Sequence, residues 1–121
     1  MSDPQPFAVP AGSRVYLGEP AQEPEQLLAA IALEFAGVPA VREARRVWAV
    51  IDDGAPGLVV GIDLDPDAPG ARRAGFAAVA GAQVTALAGF SVNVAFVQDQ
   101  GELVAWMATN AAPFYRRKRP L

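Results

Sequence analysis

The sequence predicts an α+β domain, with two long helices laid against a sheet. Two observations carry that expectation. Two apolar, β-branched-rich runs, residues 47–51 and 58–64, flank the turn cluster Asp52-Asp53-Gly54-Ala55-Pro56-Gly57. Such runs around Asp, Gly and Pro mark a β-hairpin, with Asp53-Gly54 placed to supply positive φ. On each side of the hairpin apolar residues recur at helical spacing: Leu28, Ile31, Ala32 and Phe35 before it, and Phe76, Val79, Ala80, Val84 and Leu87 after it. Each apolar stripe needs the sheet as its cover.

The elements follow in order. Residues 1–12 hold three prolines and a glycine and read as an extended, Pro-rich arm. Residues 14–17 form a short strand, with Val15 and Leu17 on one face and Arg14 and Tyr16 on the other. Gly18-Glu19-Pro20 ends it. A helix starts near Pro24, whose missing N–H suits the first helical position. Glu23 and Glu25 complement the positive end of its dipole, and Gly37 and Pro39 stop it.

Residues 41–51 are a strand with two plausible cores. Val47, Ala49 and Ile51 are assigned inward, because arginine tolerates burial poorly and the other set contains Arg46, Trp48 and Val50. In the next strand Leu58, Val60, Ile62 and Leu64 face inward, and Val59, Gly61 and Asp63 face out. A loop of Asp, Pro and Gly leads to the second helix, residues 71–87, where Gly75 and Gly81 allow close approach to the sheet. Gly89 stops it. Residues 91–97 are a strand with Val92, Val94 and Phe96 inward and Asn93 and Ala95 outward. Leu103, Trp106 and Met107 then mark a short last helix. Strand, helix, strand, strand, helix, strand is the order of a ferredoxin-like βαββαβ fold. The expected product is a four-stranded antiparallel sheet with two helices on one face, plus a short C-terminal helix. Residues 13–115 make one domain between the arm and a basic tail, residues 116–121.

Composition narrows the chemistry. The 121 residues suit one domain and suffice for a sizeable core. There is no cysteine, which excludes disulfides, thiol catalysis and thiolate metal sites. There is no histidine, which removes the commonest general base and metal ligand near neutral pH. Ser13, Thr85, Ser91 and Thr109 have no visible base to activate them. No cofactor and no enzyme activity are expected.

The net charge of −3 hides an asymmetry. Arg116, Arg117, Lys118 and Arg119 crowd the end, leaving six basic residues against 13 acidic ones in residues 1–115. An acidic body repels phosphate backbones, so nucleic acid is not an expected partner. The longest apolar stretch, residues 76–90, contains Gln83 and Thr85 and falls short of the roughly 20 apolar residues a span needs. Asp3 and Pro4 stand where a secretory signal would carry positive charge. The expected location is the cytoplasm, with no membrane partner.

Several segments, taken in order, resemble a known family. They are Gly12-Ser13-Arg14-Val15-Tyr16-Leu17-Gly18-Glu19-Pro20, the helix start Glu25-Gln26-Leu27-Leu28, the hairpin end Gly61-Ile62-Asp63-Leu64-Asp65, and Pro113-Phe114-Tyr115-Arg116-Arg117. Together they resemble the C-terminal domain of the SseB (enhanced serine sensitivity) family of bacterial proteins, over residues 12–117. That family usually carries a separate N-terminal SseB domain. The resemblance implies a domain and no catalytic residue to carry over.

Two candidate sites remain. With both long helices on one side, the other sheet face shows Arg14, Tyr16 and Asp63, joined by Arg46 and Trp48 under the facing assigned above. Tyr, Trp and Arg are enriched at binding hot spots. These five are the expected contacts of a non-catalytic protein-interaction module, with a protein partner or a second copy on the open face. The competing arrangement buries Trp48 and covers the face with Leu103, Trp106 and Met107 of the last helix. The alternative site is the cluster Asp63, Asp65 and Asp67, whose carboxylates suit a small ligand or a hard divalent cation. Its ordinary explanation is a solvated loop that caps the second helix. At the C-terminus, Phe114 and Tyr115 are expected to anchor the chain on the core, with the arginines in solvent.

Overall fold

The computed structural model describes residues 5–6, 12–18, 24–52, 54, 57–65, 68–86, 92–99 and 101–117. The turn residues Asp53 and Pro56, Asp67, the helix end at Leu87 and Gly89, and residues 118–121 of the tail lie outside them. Among the described residues the order is β1 (Gln5–Pro6), β2 (Val15–Gly18), α1 (Glu25–Phe35), β3 (Val41–Ile51), β4 (Gly57–Leu64), α2 (Ala71–Ala86), β5 (Val92–Phe96), α3 (Glu102–Asn110) and β6 (Pro113–Arg116). A single 3-10 turn, Val97–Asp99, follows β5.

The class is α+β, but the sheet is mixed and its order is not ferredoxin-like. It runs β1-β5-β4-β3-β2, with β6 also on β3. β3 and β4 form the antiparallel hairpin, from Val41 opposite Leu64 to Ala49 opposite Gly57. β4 and β5 run parallel, Leu58 opposite Val92 and Ile62 opposite Phe96. A parallel pair needs a long crossover, and α2 supplies it. In the expected order the first strand would sit between the third and fourth. Here those two strands satisfy each other directly, so no slot exists. The four-residue β2 instead takes the outer edge of β3, Val15 opposite Ile51 and Gly18 opposite Trp48. The 11-residue β3 is long enough for a second partner on that edge, and β6 pairs with it at Glu43 and Ala44. β1, inside the expected arm, adds a parallel strand beyond β5.

Both sheet faces are covered. α1 and α2 cover one, over Val41, Ala44, Leu58, Val60, Ile62, Val92, Val94 and Phe96. Ile31 and Phe35 of α1 and Val79 of α2 are fully buried there. α3 covers part of the other face, where Met107 and Ala111 bury Val47, Ala49 and Val59, flanked by Leu17, Ala95, Leu103 and Trp106. Val59 and Gly61, expected to face solvent, are buried. A near-continuous apolar run such as Leu58-Val59-Val60-Gly61-Ile62 is what a strand covered on both sides requires.

Two glycines set the layer spacing. A Cβ on Gly75 would meet Ile62 Cδ1 at 3.3 Å, so α2 lies close on the sheet there. A Cβ on Gly61 would approach Met107 Cε to 2.9 Å, so α3 lies close on the opposite face. Gly81, expected against the sheet, instead faces Glu34 of α1. Among the described residues of the hairpin turn, positive φ is taken by Asp52 (54°) and not by Gly54. Aspartate is among the few side chains that tolerate this region. Its carboxylate accepts the Arg14 backbone N–H at 2.9 Å, and its own N–H donates to the Arg14 carbonyl at 2.7 Å, tying the turn to β2. No helix among the described residues is long and apolar enough to cross a membrane.

Candidate functional site

The five residues expected on an open sheet face do not share one. Register places Arg46 opposite Val60 and Trp48 opposite Leu58, both on the side of α1 and α2. Trp48 packs against the main core, and Arg46 is half-buried. Tyr16, opposite Val50, points to that same side and is exposed. Asp63, opposite Glu43, lies on the α3 side. Arg14 precedes β2 and is engaged through its backbone with Asp52. The assignment of Val47, Ala49 and Ile51 to the α1–α2 core is corrected by the same register: Val47 pairs with Val59, and that face belongs to α3.

The aspartate cluster is a guanidinium network. Arg42 Nη2 donates to both Asp63 oxygens at 3.1 Å. Arg117 Nη1 donates to Asp65 Oδ2 at 2.6 Å and to the Pro39 carbonyl at 2.7 Å. Arg116 Nε donates to Glu43 at 3.0 Å, and Arg45 pairs with the other oxygen of Glu43. Asp65 raises the pKa of Arg117 above its ordinary value, chiefly through the hydrogen bond. A divalent cation at Asp63 and Asp65 would have to displace Arg42 and Arg117. Among the described residues no three carboxylates gather as a metal site. The network also fixes Arg117 itself: its N–H donates to the Arg42 carbonyl at 2.8 Å, continuing the β6 pairing.

Beside this network lies a groove. It holds about 580 Å³ and is lined by Leu64, Asp65, Ala68, Gly70, Ala71, Arg72, Arg73 and Gln98. It opens at the carboxyl ends of the parallel strands β4 and β5, against the start of α2. Ligands of open sheets with parallel strands characteristically bind in such a crevice. The Gln98 amide closes the strand ends by acting as backbone: Oε1 accepts the Leu64 N–H at 3.1 Å, while Nε2 donates to the Leu64 carbonyl at 3.0 Å and to Asp63 at 2.9 Å. Gly70 takes positive φ (71°) where the chain turns into α2. The ladder of α2 begins with Ala74 N–H to the Gly70 carbonyl at 3.0 Å. A helix leaves its earlier N–H groups outside that ladder.

The charge of this helix start is unusual. Arg72 and Arg73 occupy its first turn, which holds no acidic residue. Cations there oppose the helix dipole. Arg72 is partly compensated: its Nη1 and Nη2 donate to the two Asp99 oxygens at 2.8 and 2.6 Å, and its guanidinium lies 4.8 Å from the centre of the Phe96 ring. Phe96 in turn meets Phe76 edge-on at 5.4 Å. The sequence reading missed this groove and its Arg72, Arg73, Gln98 and Asp99. The readable signal was Arg72-Arg73 one residue after Pro69-Gly70, two bases at the wrong end of a predicted helix.

The Arg72 hydrogen bond lowers the pKa of Asp99 below its ordinary value. The folded state therefore binds that proton less readily than the unfolded state. The resulting stabilisation is present above the unfolded pKa of about 4 and is lost as pH falls through the depressed folded value. Both side chains are at least half exposed, so its size is on the order of 0.5 kcal/mol. Asp99→Asn is expected to lose that amount at pH 7 and to draw toward the wild type as the pH is lowered below about 4 to about pH 2. Urea melts at the two pH values check this, and an equal difference at both would contradict it.

The family model of the SseB protein C-terminal domain matches residues 9–117. The chain belongs to the SseB C-terminal domain family. No curated protein and no solved structure matches it. The match spans β2 through β6, so the hairpin, the groove and the arginine network all lie within the SseB C-terminal domain.

Proposed function

We propose that this SseB C-terminal domain is a non-catalytic binding module that takes a small anionic ligand in the groove at the start of α2. The observation that carries the reading is the placement of Arg72 and Arg73 in the first turn of a helix that opens on a 580 Å³ groove. Arg72 is held by Asp99, so Arg73 adds a further positive charge at the positive end of the dipole, and a bound carboxylate or phosphate group would relieve it. Departures from local rules are expected at functional sites. The volume suits a small molecule. Leu64, Ala68 and Ala71 give apolar walls, while Gln98 and Asp65 offer polar contacts. Among the described lining residues no nucleophile stands beside a base, so the reading is one of binding.

The test is thermal stability with inorganic phosphate and a panel of small carboxylates, each against sodium chloride of equal ionic strength. A ligand at 100 times its Kd adds about 2.7 kcal/mol, roughly 10 °C for a chain of this size. Arg73→Ala is expected to abolish the gain while keeping the unliganded Tm within a few degrees. An undiminished gain in Arg73→Ala, or no gain beyond salt across the panel, removes the reading.

A second reading, contact with another protein, is favoured by a separate observation. Leu33 and Val84 are 78% and 60% exposed on α1 and α2. This moves the interaction surface from the sheet face, where α3 lies, to the outside of the helix layer.

A further inference from the structure

Resting on that second reading, we infer that the outer face of the α1–α2 layer binds a second copy of this chain. The buried residues of α1 are Leu27, Leu28, Ile31 and Phe35, and those of α2 include Ala71, Gly75, Ala78, Val79 and Ala82. At 3.6 residues per turn, the side opposite them carries Ala29, Leu33 and Ala36 on α1 and Ala77 and Val84 on α2, all exposed. The two helices pack side by side, Glu34 of one against Gly81 of the other, so these residues form one patch. Single exposed apolar residues are ordinary; a row on each of two adjacent helices is not.

The charges around the patch identify the occupant. The charged residues of α1 are acidic, Glu25 and Glu34, whereas the charged residue that α2 presents beside Ala77 and Val84 is the basic Arg73, Arg72 being turned to Asp99 and Phe96. The two signs are segregated onto two halves of one surface. A two-fold axis through the patch lays α1 of one copy over α2 of the other and meets acid with base twice. Self-complementarity of this kind is what an isologous dimer requires. Shape agrees: Leu33 is the one long apolar side chain of the outer row of α1, and the exposed Ala77 on α2 is small enough to leave room for it.

The experiment joins solution mass with photo-crosslinking of the full chain. Light scattering over a concentration series is expected to give twice the 12.7 kDa of one chain. Leu33→Asp should weaken association by at least about ten-fold, the scale of a central apolar anchor, with an unchanged circular dichroism spectrum. Glu25→Lys/Glu34→Lys and Arg73→Glu chains should each associate poorly alone and recover the dimer when mixed. Rising salt should weaken the wild-type dimer. A monomer at all concentrations overturns the inference, as does a dimer indifferent to Leu33→Asp and to the charge changes. A benzophenone amino acid placed at residue 33 in cells separates the two levels. A crosslink of twice the chain mass supports self-association. A crosslink to a different protein overturns it and leaves the contact reading standing, and no crosslink overturns both.

Discussion

Val59→Asp is expected to cost about 3–5 kcal/mol, the scale on which an uncompensated buried charge destabilises a protein. Val59 is 1% exposed and lies on the sheet face toward α3, with Met107, Ala111 and Val47 around it. A carboxylate there gains no basic partner within that cluster, whose buried members are all apolar. The loss is a large share of the roughly 5–15 kcal/mol that holds a domain of this size together. Urea unfolding followed by circular dichroism reads it as a fall in midpoint at constant slope. Ala105→Asp, on the exposed side of α3, serves as the matched control and should stay within about 0.5 kcal/mol. On a solvated sheet face Val59→Asp would behave like that control. Equal midpoints for the two variants would therefore mean that α3 does not cover the sheet.

The same residue explains how far the fold was legible. Helix and strand existence came through closely, because α1, α2, β3 and β4 have strong periodic or β-branched patterns. Facing did not come through for β3. Its sequence puts Val47 and Ala49 on one side and Trp48 and Val50 on the other, and both sides are apolar because both are covered. Alternation carries information only when one face meets water. The choice then fell on Arg46, whose aversion to burial pointed the wrong way: Arg46 stays half-exposed on the α1–α2 side. β1 and β6 were invisible as strands for another reason. Each is short and contains proline, and each exists by pairing with a distant edge, β5 and β3 respectively.

The candidate site was legible only in pieces. Asp63 and Asp65 stood out as a cluster of like charge. Their partners Arg42 and Arg117 lie 21 and 52 residues away, and only the β3–β4 and β3–β6 registers bring them together. Gln98 reaches Leu64 across 34 residues through the parallel β4–β5 pair, a pairing that an all-antiparallel sheet would not contain. The groove is a product of that topology, since parallel neighbours put two strand ends and one helix start at the same place.

Phe35→Ala is expected to cost about 3–5 kcal/mol, through lost transfer energy and the cavity it leaves. Phe35 has no exposed surface and ends α1, and its ring meets Tyr115 of β6 edge-on at 5.6 Å. Its carbonyl also accepts the Tyr115 hydroxyl at 3.2 Å. The residue thus fastens the helix layer to the last strand. Tyr115→Phe removes only the hydroxyl and should cost about 0.5–1.5 kcal/mol. Because the backbone carbonyl survives in Phe35→Ala, the hydrogen bond and the ring contact separate in a double-mutant cycle with Tyr115→Ala, where the ring pair should couple by about 0.5–1.5 kcal/mol. Tyr115 directly precedes Arg116 and Arg117, which hold Glu43 and Asp65. Loosening the anchor should therefore reach the groove as well. Hydrogen exchange of residues 113–117 should accelerate in Phe35→Ala relative to the β4–β5 pair, and anion-dependent stabilisation should shrink with it. Strict additivity of Phe35→Ala and Tyr115→Ala, with unchanged protection of β6, would show that the last strand is held by its ladder on β3 alone.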